Sequence, residues 1–245
     1  MRYFIELSYK GTSFCGWQIQ PNAPTIQEEI EKALALILRK EIRITGSSRT
    51  DTGVHAAQQF AHFDTDEPLT NFEHLVYRLN AVLPSEIAIQ RIFLVNDDAH
   101  SRFDAKFRKY TYRITLLKNP FFIDTSYYYN VKLDLESMNK ACALMMQHTD
   151  FQCFSKVKTD VNTFDCTISH ASWEQKETMT LFHIQANRFL RGMVRAIVGT
   201  MLEIGQGRMS LDEFEQIILS KNRNKAGRAA PANGLTLEVV GYTNL

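Results

Sequence analysis

The strongest constraint on how this chain folds is the order in which its hydrophobic period changes. Residues 2–9 alternate as a strand. Residues 25–39 switch to helical spacing, with Ile26, Ile30, Leu34, Ile37 and Leu38 on one side. Thr25 is the expected N-cap and Glu28 its capping-box partner. Residues 41–47 and 57–64 read as strands, 71–83 as a helix stopped by Pro84, and 87–95 as a strand ended by Asn96-Asp97-Asp98. That order is β-α-β-β-α-β, and it then repeats. A strand over 107–117 leads to a helix over 134–147. A hairpin of 165–174 and 179–186 follows, turning near 175–178. A helix over 189–204, a shorter one over 211–219 and a strand over 235–242 complete the series. The expected architecture is α+β: two consecutive ferredoxin-like or RRM-like halves whose sheets combine, helices on one side and an active-site cleft between the halves. The boundary is placed so that 1–103 forms an N-terminal subdomain and 104–245 a C-terminal one. The RNA-recognition module shares this topology, but a fold alone assigns no chemistry.

The 245 residues carry 28 Lys and Arg against 27 Asp and Glu, so global charge points to no partner. Any nucleic-acid binding must come from local patches. The opening MRYFIELSYKG reads as a strand and not as an export signal, and no apolar run approaches the length of a membrane span. None of Cys15, Cys142, Cys153 and Cys166 forms a C-x-x-C pair, and no His pair has ligand spacing. Reduced thiols, no metal and a cytoplasmic location are the expectation.

Three readings compete for GSSRTDTGVHAAQQFAHFDT, residues 46–65. Asp51-Thr52-Gly53 is the triplet of aspartic proteases, but that chemistry needs a second carboxylate sharing a proton. The chain has one such triplet, and Arg49 beside it favours the ionised form. Asp and Gly are also ordinary turn residues, with Gly53 supplying a positive φ. The third reading is a nucleophile: an ionised carboxylate attacks carbon without a separate base, provided the substrate is held in line. Arg49 is placed to orient it or to hold a phosphate.

Two basic stretches bear on a polyanionic ligand. RFDAKFRKYTYR, residues 102–113, interleaves Arg102, Lys106 and Arg108 with aromatics, and strand geometry puts Arg108, Tyr110 and Tyr112 on one face. ANRFLRGMVRAIVGTML, residues 186–202, places Arg188, Arg191 and Arg195 at helical spacing, a basic stripe that opposes the helix dipole. The segment 220–235 adds Lys221, Arg223 and Arg228 in a loop that is expected to order on binding. Phe14 to Trp17 and Tyr127 to Tyr129 read equally as contact surface or as packing.

YKGTSFCGWQIQPNAPTIQEEIEKAL, SSRTDTGVHA, FDAKFRKYTYRI, ANRFLRGMVRAIVG and APANGL, in that order, resemble the tRNA pseudouridine synthase A family over nearly all of the chain. The resemblance implies isomerisation of uridine to pseudouridine at positions 38, 39 and 40 of the tRNA anticodon stem-loop. It makes Asp51 the nucleophile, and it gives Arg49 the task of holding the flipped nucleotide open. Tyr110 is to stack on the target base, Arg195 to pair with the catalytic Asp, and Leu235 to pack on the pocket. It implies no cofactor, no metal and a homodimer. The rival class is a non-catalytic RNA-binding module of the same fold. Ser48 and Thr52 stand where the family loop often has Gly and Ala; both are small, so the loop geometry is expected to hold.

Overall fold

The computed structural model describes residues 1–157 and 162–243. The chain folds as two compact units, one of residues 1–106 and 237–245, the other of residues 107–236. The chain's last strand therefore contributes to unit one, and the units are not two uninterrupted halves.

Unit one is an antiparallel sheet with two helices. β1 (Arg2–Tyr9) pairs with both β3 (His55–Asp64) and β4 (Ile87–Val95), giving the order β4-β1-β3. β9 (Leu235–Gly241) lies next to β3, where the Val240 N–H donates to Gln58 Oε1 at 3.1 Å. α1 (Ile26–Leu38) starts at Thr25, whose hydroxyl accepts the Glu28 N–H. Glu28 itself turns to Lys32 at 3.0 Å, an i,i+4 pair in place of the expected capping box. α2 (Phe72–Val82) is capped by the Asn71 side chain and packs on β4. Its C-cap Leu83 is extended, as the residue before Pro84 must be.

The strand expected over 41–47 shrinks to β2 (Thr45–Gly46), paired with β3. At Ile44, just before it, the backbone finds its partners in α1 side chains. The Ile44 N–H donates to Glu31 Oε1 at 3.0 Å, and Gln27 Nε2 donates to the Ile44 carbonyl at 3.0 Å. With those groups satisfied, no ladder forms.

Unit two pairs β5 (Phe107–Thr115) with β8 (Met179–Ala186), and β8 with β7 (Ile168–Lys176), all antiparallel. A short β6 (Tyr127–Tyr128), unforeseen from sequence, runs parallel to the end of β5. The β7–β8 hairpin turns at Glu177, whose φ is +52°. α3 (Leu135–Met145) starts at Asp134 and packs on β7. α4 (Met193–Gly205) and α5 (Leu211–Leu219) pack against α3. α5 has the full capping box, Ser210 with Glu213. Burial pushes the Cys142 and Cys153 thiols up to about 12 and Cys166 to about 11, so these three behave as small core hydrophobes. Among the described residues, no helix is long and apolar enough to cross a membrane.

One buried group makes unit one pH-sensitive. His62 on β3 is buried, and its Nδ1 lies 2.8 Å from Ser101 Oγ. Desolvation, then the Arg2 charge, lower its pKa to about 4. Below about pH 6.5 the unfolded chain gains a proton here that the folded chain refuses until about pH 4. Stability is therefore expected to fall across that window by about 3 kcal/mol from this residue. Urea titrations between pH 7 and 4 check it, and His62→Gln should flatten the slope.

Candidate active site

Asp51 occupies the connection between β2 and β3, on a loop tied down at nearly every residue around it. Thr50 is buried, with Oγ1 2.8 Å from the Tyr9 hydroxyl. The Thr50 carbonyl accepts the Trp17 N–H at 3.1 Å, and the Phe14 carbonyl accepts the Gly53 N–H at 3.4 Å. His55 Nδ1, also buried, accepts the Gly11 N–H at 3.0 Å. The turn itself closes through the Asp51 backbone, whose carbonyl accepts the Val54 N–H at 3.1 Å.

Two glycines allow this close packing. Gly16 has φ +88°, and a Cβ there would stand 2.7 Å from the Thr50 carbonyl oxygen. At Gly11 a Cβ would come within 2.0 Å of the Val54 carbonyl oxygen. Phe14 and Trp17 are buried, so the FCGW segment is the brace behind the loop and not an exposed contact surface. On the approach to the loop, the fully buried Gln59 accepts the Ser47 hydroxyl at 2.7 Å and donates to the Ser48 carbonyl at 2.8 Å. From this base the loop presents a half-buried Asp51 flanked by exposed Arg49 and Thr52. The α+β fold removes the aspartic-protease reading, which needs an all-β frame.

Sequence reasoning did not single out Tyr9, Gly11, Gln59 or His55 as supports.

Unit two holds the other expected site residues. Tyr110 on β5 is buried, edge-on to Phe189 with centroids 5.1 Å apart. Leu235 is buried at the start of β9. Arg195 lies in the first turn of α4, and its Nε donates to the Ala230 carbonyl at 2.7 Å. The Ala230 N–H returns a bond to the Arg195 carbonyl at 2.9 Å.

The expected basic stripe does not form. α4 begins at Met193, after Gly192 in the left-handed region, so Arg188 and Arg191 precede the helix. Asn187 organises that connection: its side chain accepts the Thr167 and Arg188 N–H groups, each at 2.8 Å. Phe189 and Leu190 mimic a helical period but pack from a loop. Nor is Arg108 on an exposed face. Arg108, Tyr110 and Tyr112 share one side of β5, and all three are buried. The Arg108 guanidinium donates to the Asn187 carbonyl at 3.1 Å.

The segment 220–235 is also built into the unit rather than left loose. Lys221 is paired with Asp150 at 2.7 Å, and the Gly227 N–H donates to Thr200 Oγ1 at 2.9 Å. Arg223 donates to the Ala226 and Gly227 carbonyls. Tyr112, fully buried, donates to the Pro231 carbonyl at 2.8 Å. Burial holds its phenol far above the usual range, so it stays neutral. Tyr112→Phe is expected to cost about 1–2 kcal/mol, measured by denaturant unfolding, because the Pro231 carbonyl loses its donor. Arg102, Lys106, Arg191, Lys221 and Arg228 remain exposed, with Arg188 and Arg223 half-buried. Among the described residues no group of three His, Cys, Asp or Glu side chains is arranged to hold a metal ion.

An α+β chain with a carboxylate on a braced loop is one of many enzyme designs, and comparison with known proteins narrows it. A family model described as tRNA pseudouridine synthase matches residues 7–104 and 141–243, spanning the Asp51 loop and the Arg195 helix. The chain belongs to the tRNA pseudouridine synthase family. Tyr110 lies outside the two matched stretches, but full-length relatives align across nearly the whole chain. The tRNA pseudouridine synthase A of Parabacteroides distasonis is 48% identical over 241 residues, 98% of this chain and 96% of that protein. The protein of the same name from Bacteroides fragilis is 48% identical over 242 residues, again 98% and 96%. That of Bacillus subtilis is 39% identical over 249 residues, the full length of both chains.

Proposed function

We propose that this chain isomerises uridine to pseudouridine in tRNA, at positions 38, 39 and 40 of the anticodon stem-loop, with Asp51 as nucleophile. The observation that carries the reading is the Asp51 loop of a family member. Its backbone is pinned on both sides, and on that buried base Asp51 is half-buried and Arg49 exposed.

The reaction needs little else. A stem uridine must first leave the helix, which costs a few kcal/mol. Arg49, exposed on the same loop, takes the vacated space or clamps the backbone. Tyr110 offers a ring for the flipped base, Leu235 lines the pocket, and Arg195 serves as counter-charge to the carboxylate. Three routes are compatible with one carboxylate: attack at ribose C1′, attack at base C6, or a glycal. In each the N1–C1′ bond breaks, the uracil turns, a C5–C1′ bond forms, the C5 proton leaves and N1 gains one. Substrate and product have the same atoms, so no co-substrate is consumed. Tyr110 is assigned the C5 proton; a Tyr110→Phe protein that turns over at the parent rate would remove that assignment.

The enzyme is proposed to act in the cytoplasm without cofactor or metal, as a homodimer. The apolar residues of α4 are buried within the chain itself, which makes that helix a poor dimer surface. The segment that exposes Phe121, Ile123 and Tyr128 within eight residues is the better one. Sedimentation equilibrium should give about twice the chain mass, and Phe121→Asp should halve it. The activity is tested on an unmodified tRNA transcript carrying U at 38 to 40, with carbodiimide-stop mapping of the product. Pseudouridine at those positions is expected. A folded protein that binds the transcript and forms none would be a non-catalytic RNA-binding module. Binding through the exposed cations should weaken steeply between 50 and 200 mM salt.

A further inference from the structure

We infer that Phe103 is a stacking platform for an unpaired base of the RNA substrate, distinct from the pocket that takes the target uridine; this rests on the RNA-modifying function proposed above. An isolated exposed aromatic is unremarkable on a protein surface. Phe103, 74% exposed, is not isolated. It ends a column of rings that starts in the core of unit one. Phe4 stacks on His62 with centroids 6.1 Å apart, His62 meets His100 edge-on at 4.6 Å, and His100 lies 4.2 Å from Phe103. Phe4 and His62 are buried, so the column rises from rigid packing to solvent.

The turn that carries Phe103 is fixed as firmly as the column. His100 Nδ1 accepts the N–H groups of Arg102 at 3.1 Å and Phe103 at 3.3 Å. The His100 N–H donates to Asp104 Oδ2 at 2.7 Å, and the Asp104 N–H returns to the His100 carbonyl at 3.0 Å. Ser101 is fully buried, and its hydroxyl donates to the Thr45 carbonyl at 2.7 Å. Thr45 opens β2, the strand that leads directly into the Asp51 loop. The turn and the catalytic loop are therefore anchored to the same short strand.

The charge beside the ring selects the ligand. The Arg102 guanidinium carbon is 5.7 Å from the Phe103 centroid, and Lys106 is exposed three residues on. A solvent-facing aromatic ring with one guanidinium already over it and a second cation close in sequence suits a nucleotide, whose base stacks with the ring and guanidinium while its phosphate meets the charge. An apolar protein partner would gain nothing from that pairing. Holding Phe103 in place before binding also removes the entropy cost of ordering it.

The test compares parent, Phe103→Ala, Phe103→Leu and Phe103→Tyr on the same tRNA transcript. Binding and steady-state turnover are both measured. The Ala and Leu proteins should raise Kd and KM about five- to a hundredfold with kcat unchanged, and Tyr should restore the parent values. Because Phe103 is exposed, all variants should keep the parent melting temperature and oligomeric state. Phe103→Trp adds a direct readout. The two native Trp residues are buried, so quenching of the new fluorophore on RNA addition would report stacking. Parent-like binding by Phe103→Leu in an active enzyme overturns the inference and leaves the proposed function standing. So does an effect on oligomeric state in place of RNA affinity. A parent protein that neither binds nor modifies tRNA overturns both.

Discussion

Asp51→Asn is expected to fold, to bind tRNA as the parent does, and to form no detectable pseudouridine, a loss of at least about a thousandfold in kcat. The physical reason is that Asn keeps the shape of Asp and removes only the anionic oxygen. The turn is held by the Asp51 carbonyl, by Thr50 against Tyr9 and by His55 against Gly11, none of which the substitution touches. Folding and substrate binding should therefore separate from chemistry. Circular dichroism and filter binding establish the first two, and carbodiimide-stop mapping reads the third. Parent-level product from Asp51→Asn would remove Asp51 from the chemistry altogether. Loss of folding would mean that the carboxylate serves the turn after all.

The second large effect is expected at Gly199, in the middle of α4. A Cβ at this position would stand 1.7 Å from the Arg228 carbonyl oxygen and 2.9 Å from its carbon. The strap over 226–230 thus lies directly on the helix backbone. It is held there by Gly227 on Thr200 and by the reciprocal Arg195–Ala230 bonds. Gly199→Ala must lift the strap off the helix, because the atoms in the way are backbone and no side chain can swing aside to make room. Overpacking of this kind, with the loss of those bonds, should cost about 3 kcal/mol or more. For a chain of this size that corresponds to a fall in melting temperature of roughly 6–12 °C. Turnover should suffer too, since the Arg195 side chain is bonded to the strap. Gly207→Ala is the matched control. A Cβ there meets nothing within 4 Å, though φ is +70°, so its cost is limited to about 1 kcal/mol of backbone strain. Equal melting temperatures for the two variants would refute the close-contact argument.

Local chemistry made most elements legible in advance. β4 over Ile87–Val95, β8 over Met179–Ala186 and α5 over Leu211–Leu219 fall where periodicity and breakers put them. The cap at Thr25 is a single-residue signal that tertiary packing had no reason to override, and the helices expected from Asn71 and Asp134 begin one residue later, with those side chains as their caps. The α+β class followed from their order, and Asp51 stood out because one acidic residue between Arg49 and Gly53 is a small set of possibilities.

What the sequence could not show was where backbone groups would find partners across long separations. Residues 41–44 look like a strand, yet Glu31 and Gln27 claim both backbone groups of Ile44 from thirteen and seventeen residues away. Residues 189–191 carry a helical period, but a left-handed Gly192 and the Asn187 turn stop the helix from starting there. Arg108 reads as a surface cation, and only the fold brings the Asn187 carbonyl to its guanidinium 79 positions along the chain. Gly199, in the middle of a helical period, signals a close backbone approach, but the glycines at 11 and 16 gave no local sign of their purpose, because the atoms that exclude a Cβ arrive from distant segments. Short-range propensity and periodicity thus determined the elements, and the motif around Asp51 singled it out as the candidate nucleophile. Long-range hydrogen bonding and backbone contact, which have no period to read, decided the support behind Asp51, the strap on Arg195 and which cations stay exposed.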